Sequence, residues 1–357
     1  MLEKVTGSSS QTLVRSLYFE GPGRISIREG SIPGPRATEV IVKTMFSAIS
    51  SGTESLVYLG QWPEELVVDE NISSLSGKFS YPLKYGYAAV GRIIGLGESV
   101  SPDWLGRLVF AFNPHETHFV TSPDQLIVIP EGVSNEGACF LPNMETALNL
   151  VMDGNPVIGE AVTIFGQGVV GLLTTALLAR MSLGKVVTFD KYPMRRQASL
   201  AFGADLSIDP TRDFGSDRFE DFFSGSLSDD FKADLTYELS GYPEVLNQAI
   251  SITGFDGRIV VGSFYGSKEA SIKMGSWFHR SRIRFISSQV SSIASHLTGR
   301  WSKTRRLRMA LKMIAKIEPE RLVTHRINFS DAGKAYELIT KRPQEAIQVI
   351  LCHEENA

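Results

Sequence analysis

The stretch AVTIFGQGVVGLLTTALLARMSLGKVVTFD, residues 161–190, decides the fold of this chain. It begins with a short apolar run, passes through a glycine-rich turn into a helical pattern, and ends with a second apolar run. Gly166, Gly168 and Gly171 have the G-x-G-x-x-G spacing that opens a helix after a strand. The pattern predicts a strand over 161–165, a helix over about 169–182 and a strand over 185–189.

The glycine turn predicts a binding site for a dinucleotide. Gly166 allows a sharp exit from the strand, Gly168 lets the backbone approach a pyrophosphate, and Gly171 permits close packing of helix on strand. The N–H groups that begin the helix would face the phosphates, because the positive end of the helix dipole favours an anion. The predicted cofactor-binding residues of the turn are Gly166, Gln167, Gly168, Val169, Val170 and Gly171.

An acidic residue follows the second strand. Asp190 stands nineteen residues after Gly171, close to the position from which a carboxylate accepts hydrogen bonds from the adenosine ribose hydroxyls. A 2′-phosphate would lie beside this carboxylate, so the sequence predicts NAD as the cofactor. Lys191, Arg195 and Arg196 could instead bind that phosphate, which keeps NADP as the less favoured alternative. A turn that merely connects two elements is disfavoured, because strand, glycines, helix, strand and acid occur in the required order.

Composition excludes several classes of protein. The 357 residues suggest about two domains, and a net charge of −3 gives no electrostatic reason to expect binding to nucleic acid or membrane. Two cysteines, Cys139 and Cys352, are too few for a disulfide framework, and the N-terminus lacks the apolar segment of a signal peptide. A cytoplasmic location is therefore expected. No uninterrupted apolar run reaches about 18 residues, so no membrane span is expected.

The periodicity of the chain changes near residue 161. Short alternating strands separated by Gly- and Pro-rich turns come first, which predicts a partly closed β-barrel. Strands then alternate with helices, which predicts a parallel sheet with right-handed crossovers. The strands predicted before residue 161 cover 14–19, 25–28, 40–47, 89–94, 108–112, 118–121 and 126–129, followed by a helix from about 136. Later strands cover 206–208, 233–239, 258–261, 284–287 and 347–351, and later helices cover 194–202, about 218–223, 242–253, a basic segment after 295, and 332–340.

Seven motifs distributed along the chain resemble the medium-chain dehydrogenase/reductase superfamily. They are SAISSGTES at 47–55, YGYAAVGRIIGLGESV at 85–100, METALNLV at 144–151, FGQGVVG at 165–171, ELSGYPEVLNQAI at 238–250, GRIVVGSF at 257–264 and LVTHRINFSDAGKAYELI at 322–339. Within that superfamily, two short motifs, SAISSGTE and GYAAVG, look most like the zinc-free branch that contains the bacteriochlorophyllide hydroxyethyl dehydrogenases.

The resemblance implies an α/β protein with a GroES-like β-barrel catalytic domain and a Rossmann domain built on a doubly wound parallel sheet. The catalytic domain would span residues 1–152 and be completed by 296–357, and the Rossmann domain would span 153–295. The resemblance further implies an NAD(P)-dependent dehydrogenase or reductase that acts on a small-molecule substrate and assembles as a homodimer or homotetramer. It places further cofactor-binding residues at Lys191, Arg195, Ser240, Gly262 and Ser263.

The chain departs from its superfamily at the zinc ligands. Zinc alcohol dehydrogenases of the superfamily carry Cys where this chain has Ser51, and a His-Glu pair where it has Tyr87 and Ala88. Serine and tyrosine hydroxyls substitute poorly for thiolate and imidazole at neutral pH, and a zinc site needs about three protein ligands. The four-cysteine loop of the structural zinc is also missing. The sequence therefore predicts an enzyme without zinc.

One other cluster could hold a metal. His115, Glu116 and His118 lie close together, but residues three apart on a strand point to opposite faces and the spacing matches no common zinc pattern. The favoured interpretation is that they are polar residues near a strand end. Cys139 lies beside an apolar helical pattern and is predicted to be a small core residue rather than a nucleophile.

A metal-free site must polarise the substrate with hydrogen-bond donors and must handle the proton that accompanies hydride transfer. Thr53 matches the hydroxyl that begins the proton relay in the zinc relatives, Tyr87 replaces a ligand, and Glu54 could orient either group. These three are the predicted catalytic residues. The alternative is that Tyr87 only fills the volume of the lost metal. By the same resemblance, the nicotinamide would be held near Gly262 and Ser263.

Three functions are compatible with these residues. The first is an NAD-dependent dehydrogenase of a secondary alcohol. The second is an NADPH-dependent reductase of activated carbon–carbon double bonds, like the quinone and enoyl reductases of the superfamily, which Asp190 disfavours. The third is a dinucleotide-binding protein without catalysis, which the hydroxyls of Thr53 and Tyr87 disfavour.

Two segments are dense in basic residues, FHRSRIR at 278–284 and RWSKTRRLR at 300–308. If some of these residues faced the cleft between the domains, they could recognise a carboxylate or phosphate of the substrate. The favoured interpretation is a solvated helix face, because most arginines on helices lie at the surface. The basic residues concerned are His279, Arg280, Arg282, Arg284, Arg300, Lys303, Arg305, Arg306 and Arg308.

Overall fold

The computed structural model describes residues 11–63, 67, 73–75, 77–214 and 232–353. The chain forms two compact units, residues 1–142 with 311–357 (unit 1) and residues 143–310 (unit 2). The predicted boundaries assign residues 143–152 and 296–310 to the catalytic domain, whereas the structure places them in unit 2. Both boundaries between the units fall inside helices. Helix interiors lack the turn signals by which a sequence indicates a domain boundary.

The elements are numbered in chain order. The strands are β1 (Thr12–Gly21), β2 (Arg24–Ile32), β3 (Val40–Ala48), β4 (Ala89–Leu96), β5 (Leu108–Ala111), β6 (His118–Thr121), β7 (Ile127–Val128), β8 (Ala161–Phe165), β9 (Lys185–Phe189), β10 (Leu206–Ile208), β11 (Ala233–Glu238), β12 (Thr253–Val261), β13 (Arg284–Ser287), β14 (Val323–Asn328) and β15 (Gln348–Cys352). The helices are α1 (Ser51–Leu59), α2 (Asn135–Ala138), α3 (Leu141–Gly154), α4 (Val169–Leu178), α5 (Pro193–Ala201), α6 (Val245–Ile252), α7 (Lys303–Ile317) and α8 (Ala332–Lys341).

Unit 1 is built on a sheet of mixed direction with the strand order β14-β15-β3-β4-β5-β7, in which β6 also pairs with β3. A separate antiparallel ribbon joins β1 to β2. An apolar cluster lies between the ribbon, α1 and α8. In it the ring of Tyr336 stacks on Tyr58 at 5.4 Å between centroids and meets Phe19 edge-on at 5.2 Å. These aromatic contacts hold α8 against α1, which carries Thr53 and Glu54, two of the three candidate catalytic residues.

Unit 2 contains a six-stranded, wholly parallel sheet with the order β10-β9-β8-β11-β12-β13. The chain leaves β8 in one direction toward β10 and returns on the other side with β11, so the order reverses between β8 and β11. Every residue of β8 is buried, which fits an apolar strand covered on both faces. The predicted fold class, a β-barrel-like unit plus a doubly wound parallel sheet, is confirmed.

Several predicted elements differ from the structure. Helix α4 begins at Val169 as predicted but ends at Leu178, and the helix predicted from about 136 is two helices, α2 and α3. The predicted helix over 242–253 is shorter, because the chain enters β12 at Thr253. The predicted helix over about 218–223 lies outside the described residues. Across the described ranges, no helix is both long and apolar enough to cross a membrane.

Helix α1 was not predicted from the sequence. Its segment SGTESLVYL has a glycine and a β-branched residue in its first turn, so its intrinsic helix propensity is low. Gly60 ends the helix with a positive φ of 70°, and its N–H donates to the carbonyl oxygen of Val57 at 3.2 Å. The helix forms because Leu56, Val57 and Tyr58 are buried in the core of unit 1, a tertiary effect that local pattern does not reveal.

Candidate functional site

The glycine turn of unit 2 has the geometry that its spacing predicts. Gly166 has a φ of +89°, and a Cβ there would lie 2.5 Å from the carbonyl oxygen of Leu239. A Cβ on Gly171 would lie 2.0 Å from the carbonyl oxygen of Gly166, so helix and turn pack too closely for any side chain. Gly168 precedes α4, and a Cβ there would meet nothing within 4 Å. The open side of the turn therefore faces the start of the helix, the place at which an anion is stabilised.

Asp190 is fixed at the end of β9 by two backbone donors. Its Oδ2 accepts from the N–H of Gln167 at 2.8 Å and its Oδ1 accepts from the N–H of Tyr192 at 2.8 Å. Gln167 is wholly buried, and its Oε1 accepts from the hydroxyl of Thr175 at 3.0 Å. Each oxygen of an ionised carboxylate keeps further acceptor capacity, so Asp190 can still accept from ribose hydroxyls. Val169 and Val170 form the first turn of α4.

The basic residues that follow Asp190 already contact other groups. Arg196 donates from Nη1 to the backbone oxygen of Asp190 at 2.8 Å and lies 3.3 Å from Oδ2 of Asp209. Lys191 Nζ lies 4.8 Å from the ring centroid of Tyr242. The guanidinium of Arg195 lies 4.9 Å over the ring of Tyr192. The rings of Tyr192 and Tyr242 therefore hold cations at this position by cation–π contact. The sequence interpretation did not include these two tyrosines.

A buried carboxylate organises the loop after β11. Glu238 is wholly buried at the end of that strand. Its Oε1 accepts from the N–H of Ser240 at 2.8 Å and also from the Ser240 hydroxyl, and its Oε2 accepts from the Tyr265 hydroxyl at 2.5 Å. Burial, reinforced by the adjacent Glu238 carboxylate, raises the pKa of Tyr265. The predicted residue Ser240 is thus held by Glu238, which Tyr265 holds in turn; Glu238 begins the motif at 238–250, but the sequence interpretation gave neither residue a role.

The predicted residues at the end of β12 lie beside this loop. Ser263 Oγ accepts from the N–H of Gly241 at 2.9 Å. A Cβ on Gly262 would lie 2.5 Å from Cδ2 of Leu150 and 2.7 Å from Cδ2 of Leu239, so only glycine fits without a shift of these side chains. The structure therefore brings Ser240, Gly262 and Ser263 to one edge of the parallel sheet, at the carboxyl ends of neighbouring strands.

In unit 1 the two predicted hydroxyls lie together with a third. The Tyr87 hydroxyl donates to Ser50 Oγ and lies 3.4 Å from Thr53 Oγ1. All three residues are partly exposed. We refer to Ser50, Thr53 and Tyr87 as the hydroxyl cluster. Ser50 was missed in the sequence, although it lies in the same SAISSGTES motif as Thr53.

Glu54 contacts different groups from those expected. Its carboxylate is wholly buried, and it accepts from the N–H of Ser50 at 2.7 Å, His115 Nε2 at 3.0 Å and the Tyr336 hydroxyl at 2.6 Å. Successive helix residues point about 100° apart, so Thr53 faces outward while Glu54 faces the core. Glu54 therefore contacts the hydroxyl cluster through the backbone N–H of Ser50.

His115 is an interior residue, not a polar residue at the edge of a strand. Its Nδ1 lies 2.7 Å from Ser47 Oγ, which in turn lies 2.9 Å from His353 Nε2. One assignment satisfies the chain: His353 Nε2–H donates to Ser47, Ser47 O–H donates to His115 Nδ1, and His115 Nε2–H donates to Glu54. Both ring nitrogens of His115 are occupied by these contacts.

The remaining members of the possible metal cluster do not converge with His115. His118 Nδ1 lies 3.2 Å from Thr117 Oγ1, and burial lowers the pKa of its imidazole. Glu116 accepts from Ser16, Lys84 and Asn113. Considering the described ranges only, no group of three or more His, Cys, Asp or Glu side chains is arranged to hold a metal ion. Cys139 is wholly buried and burial raises the pKa of its thiol, as expected of a core residue.

The neutral state of His353 predicts a pH dependence of stability. Burial, followed by the charges of His115 and Arg15, holds the pKa of His353 well below its usual range. Below about pH 6.5 the unfolded chain binds a proton at this residue that the folded chain does not, so stability falls as the pH falls. We expect the native protein to lose about 1.4 kcal/mol of unfolding free energy between about pH 7.5 and about pH 5.5 relative to His353→Gln. Denaturant titrations at both pH values test this, and parallel losses in the two proteins would contradict it.

The basic segments are mostly exposed, with one exception. Arg306 is wholly buried in unit 2, which corrects the interpretation of a solvated face for this residue. Its Nε and Nη2 donate to Oε1 of Glu145 at 3.2 and 3.0 Å. The other N–H groups reach Asn149 Oδ1 and the backbone oxygens of Ser292 and Val290, so all five donors are used. The exposed members are His279, Arg280, Arg282, Arg284, Arg300, Lys303, Arg305 and Arg308.

The chain is similar to known dehydrogenases over most of its length. The family model of the zinc-binding dehydrogenases matches residues 169–308. Starvation-sensing protein RspB of Escherichia coli strain K12 is 22% identical over 376 residues, 96% of this chain and 100% of that protein. Sorbitol dehydrogenase 1 of Saccharomyces cerevisiae is 28% identical over 312 residues, 76% of this chain and 82% of that protein. The 2-desacetyl-2-hydroxyethyl bacteriochlorophyllide A dehydrogenase of Rhodobacter capsulatus is 23% identical over 356 residues, 94% of this chain and 96% of that protein.

Solved structures share the fold. The short chain alcohol dehydrogenase rspB of Escherichia coli CFT073, solved with NADH, has a TM-score of 0.75 and 21% identity, covering 97% of this chain and 100% of its own. A zinc-binding dehydrogenase of Sinorhizobium meliloti 1021, solved with NADP, has a TM-score of 0.75 and 18% identity, covering 96% and 100%. The family match, the relatives and the fold agree with the predicted resemblance. Together they support the zinc-type, alcohol dehydrogenase-like medium-chain dehydrogenase/reductase superfamily for this chain, and two of the named relatives are dehydrogenases.

Proposed function

We propose that this protein is a zinc-independent dehydrogenase that transfers a hydride between NAD and a secondary alcohol or its ketone. The observation that carries the proposal is the hydroxyl cluster. Tyr87 stands at a motif position at which the zinc relatives carry a ligand, Ser50 and Thr53 lie on the motif that contains the other such position, Ser51, and the three present partly exposed hydroxyls. Donors of this kind stabilise negative charge as it develops on a substrate oxygen.

Unit 2 supplies the features that a dinucleotide requires. The open backbone at Gly168 and the start of α4 suit a pyrophosphate, and Asp190 suits the ribose hydroxyls. Ser240, Gly262 and Ser263 are proposed to support the nicotinamide end, with Lys191 and Arg195 beside the adenosine. When bound, the nicotinamide accepts or donates the hydride.

A catalytic zinc does not fit the residues present. Ser51 and Tyr87 offer neutral hydroxyls where thiolate and imidazole are needed, and Ala88 offers no donor. His115, which lies against Gly86 just before Tyr87, uses its two nitrogens for Ser47 and Glu54. The donor chemistry therefore supports a reaction in which protein hydroxyls take the place of the metal.

The proton is proposed to move through Tyr87. Its O–H donates to Ser50, so the Tyr87 oxygen can accept a proton from a substrate hydroxyl as its own proton passes to the hydroxyl of Ser50 or Thr53, which in turn releases its proton to solvent at this partly exposed cluster. In the reverse direction the same hydroxyl donates to a ketone oxygen. Tyr87 is thus assigned as the general acid and base, with Ser50 and Thr53 as its hydrogen-bond partners.

NAD is the proposed cofactor because the Asp190 carboxylate would repel a 2′-phosphate. Arg196 is occupied by Asp209 and the backbone of Asp190, which weakens the case for NADP. The names of the relatives, sorbitol dehydrogenase and hydroxyethyl bacteriochlorophyllide dehydrogenase, support an alcohol substrate but span a polyol and a large ring system. A cytoplasmic location and a homo-oligomer remain predictions.

A screen of polyols, secondary alcohols and ketones, with NAD and NADP in parallel, tests this function. We expect alcohol-dependent change in nicotinamide absorbance that is faster with NAD. Turnover of quinones or enoyl compounds with NADPH, without any alcohol turnover, would favour the double-bond reductase. Binding of a dinucleotide without turnover of any compound would favour the non-catalytic alternative.

A further inference from the structure

Taking the proposed role of Tyr87 in proton transfer as its basis, we propose that Glu54 and His115 form a buried positioning pair for the hydroxyl cluster. The pair sets the position of Ser50 on one side and of Tyr87 on the other. Neither residue touches the substrate in this proposal. Glu54 acts through the backbone of Ser50, and His115 acts through Glu54 and through the backbone that precedes Tyr87.

The Glu54 carboxylate is fixed by donors from three parts of unit 1. Ser50 is the N-cap residue of α1, His115 lies in the loop before β6, and Tyr336 lies on α8. A buried carboxylate is stable only when such donors surround it, and each of them restricts its orientation. The position and orientation of the Glu54 carboxylate are therefore fixed in the interior of unit 1.

The link from Glu54 to the cluster runs through Ser50. Ser50 occupies the N-cap position of α1, but its side chain does not cap the helix. Glu54 instead reaches back to the Ser50 N–H at 2.7 Å, which leaves Ser50 Oγ to accept from the Tyr87 hydroxyl. Glu54 thus accepts from the N-cap N–H, as the acidic residue of a capping box does, while the serine hydroxyl, which in that motif would accept from a helix N–H, serves the site.

The link from His115 to the cluster runs through Gly86. Gly86 has a φ of +104°, and a Cβ there would lie 2.5 Å from both Cδ2 and Nε2 of the His115 ring. The backbone immediately before Tyr87 therefore rests on the imidazole whose Nε2 holds Glu54. The same ring contacts Glu54, which binds Ser50, and the backbone that precedes Tyr87. The distance between Ser50 and Tyr87 therefore depends on the pair of Glu54 and His115.

The ring is itself held from behind. Ser47 lies on β3 and bridges His115 to His353, which follows β15 and stacks on Phe329 at 4.4 Å between centroids. These contacts give His115, His353 and Glu54 a structural role near the hydroxyl cluster that does not require them to bind a metal. Their arrangement favours a rigid support over a proton path, since Glu54 contacts Ser50 through a backbone N–H, which does not relay protons.

The test measures the pKa of Tyr87 directly. Ultraviolet difference titration of each protein against its own Tyr87→Phe counterpart isolates the titration of this phenol. Ser50→Ala removes a donor to the tyrosinate and is expected to raise the pKa of Tyr87 by about one unit. Glu54→Asp keeps the charge but shortens the reach to Ser50, and is expected to raise the pKa in the same direction. The pKa of Tyr87 in the double variant is expected to match that in Ser50→Ala alone, because both substitutions act on the same interaction, the hydrogen bond between Ser50 and Tyr87.

Controls distinguish positioning from general loss of structure. Tyr81→Phe removes a hydroxyl that donates to Val57 O at the other end of the same helix, and the pKa of Tyr87 should not change. If Glu54→Asp does not fold, Tyr336→Phe removes one donor to the same carboxylate and should give a smaller rise. The proposal is overturned if these Glu54 and Tyr336 variants leave the pKa unchanged, or if Glu54→Asp raises it further in the Ser50→Ala background. The titration needs no substrate, so failure of the proposed alcohol chemistry would be seen separately in the turnover screen.

Discussion

Replacement of Tyr87 by Phe is expected to lower kcat for alcohol oxidation about 10²–10⁴-fold, the usual contribution of a general acid or base. The phenol oxygen is the group that hydrogen-bonds Ser50 and lies near Thr53, so its loss removes the proton acceptor while the ring volume stays. NADH affinity should change little, because the residues proposed to hold the dinucleotide lie in unit 2. Steady-state kinetics together with NADH fluorescence titration measure both quantities.

Two further variants control this result. Thr53→Val keeps the side-chain volume and removes the hydroxyl, and a loss in the same direction is expected. Tyr58→Phe also removes one phenol oxygen from unit 1, but that oxygen donates to the backbone of Gly23 and should be dispensable for turnover. Turnover at the native rate in both Tyr87→Phe and Thr53→Val would remove these hydroxyls from the mechanism and leave water as the proton acceptor.

Replacement of Arg306 by Met is expected to lower the free energy of unfolding by about 3–5 kcal/mol, the cost of removing one partner from a buried ion pair. The methionine would leave the Glu145 carboxylate and the Asn149 amide oxygen buried without the guanidinium that satisfies them. Burial already raises the pKa of Glu145, against the opposing effect of Arg306, so the carboxylate would become a neutral acid more readily. Denaturant titration measures the loss.

Arg308→Met is the matched control for this substitution. Arg308 lies on the same helix, α7, and is exposed, so a change within about 0.5 kcal/mol is expected. Equal effects of the two substitutions would show that the buried contacts of Arg306 do not stabilise unit 2. A loss confined to Arg306→Met would support them.

The parallel sheet of unit 2 could be predicted because its signals are local. The glycine spacing, the apolar run of β8 and the acid at the end of β9 all lie within residues 161–190, and each reports a backbone requirement. Strands β9, β10 and β13 have the bounds that the apolar runs predicted. Helix α1 was missed altogether, because tertiary packing forms it despite weak propensity.

The support of the hydroxyl cluster could not be predicted in the same way. Glu54 is 61 residues from His115 and 282 residues from Tyr336, so no spacing rule connects them. The adjacent positions Thr53 and Glu54 were expected to act together, but a helix turns them to different sides. Ser50 was within reach of sequence reasoning, because it lies three residues before Thr53 on the motif.

The buried Arg306 shows the limit of composition arguments. A segment with arginines and lysines on nearly every turn is typical of a solvated face, and eight of the nine named basic residues are exposed. The ninth is buried because Glu145 and Asn149 lie on successive turns of α3 and accept from the same guanidinium. The sequence shows those two acceptors, but it does not show that their helix packs against Arg306.

The most direct test of the central claim is the rate of alcohol oxidation by protein depleted of metal. The protein is dialysed against a strong chelator, its zinc content is measured by elemental analysis, and turnover of a substrate found in the screen is followed with NAD. A protein that uses hydroxyl donors in place of zinc should contain far less than one zinc per chain and retain its native rate. Loss of the rate on chelation, with recovery when about one zinc per chain is restored, would contradict the account.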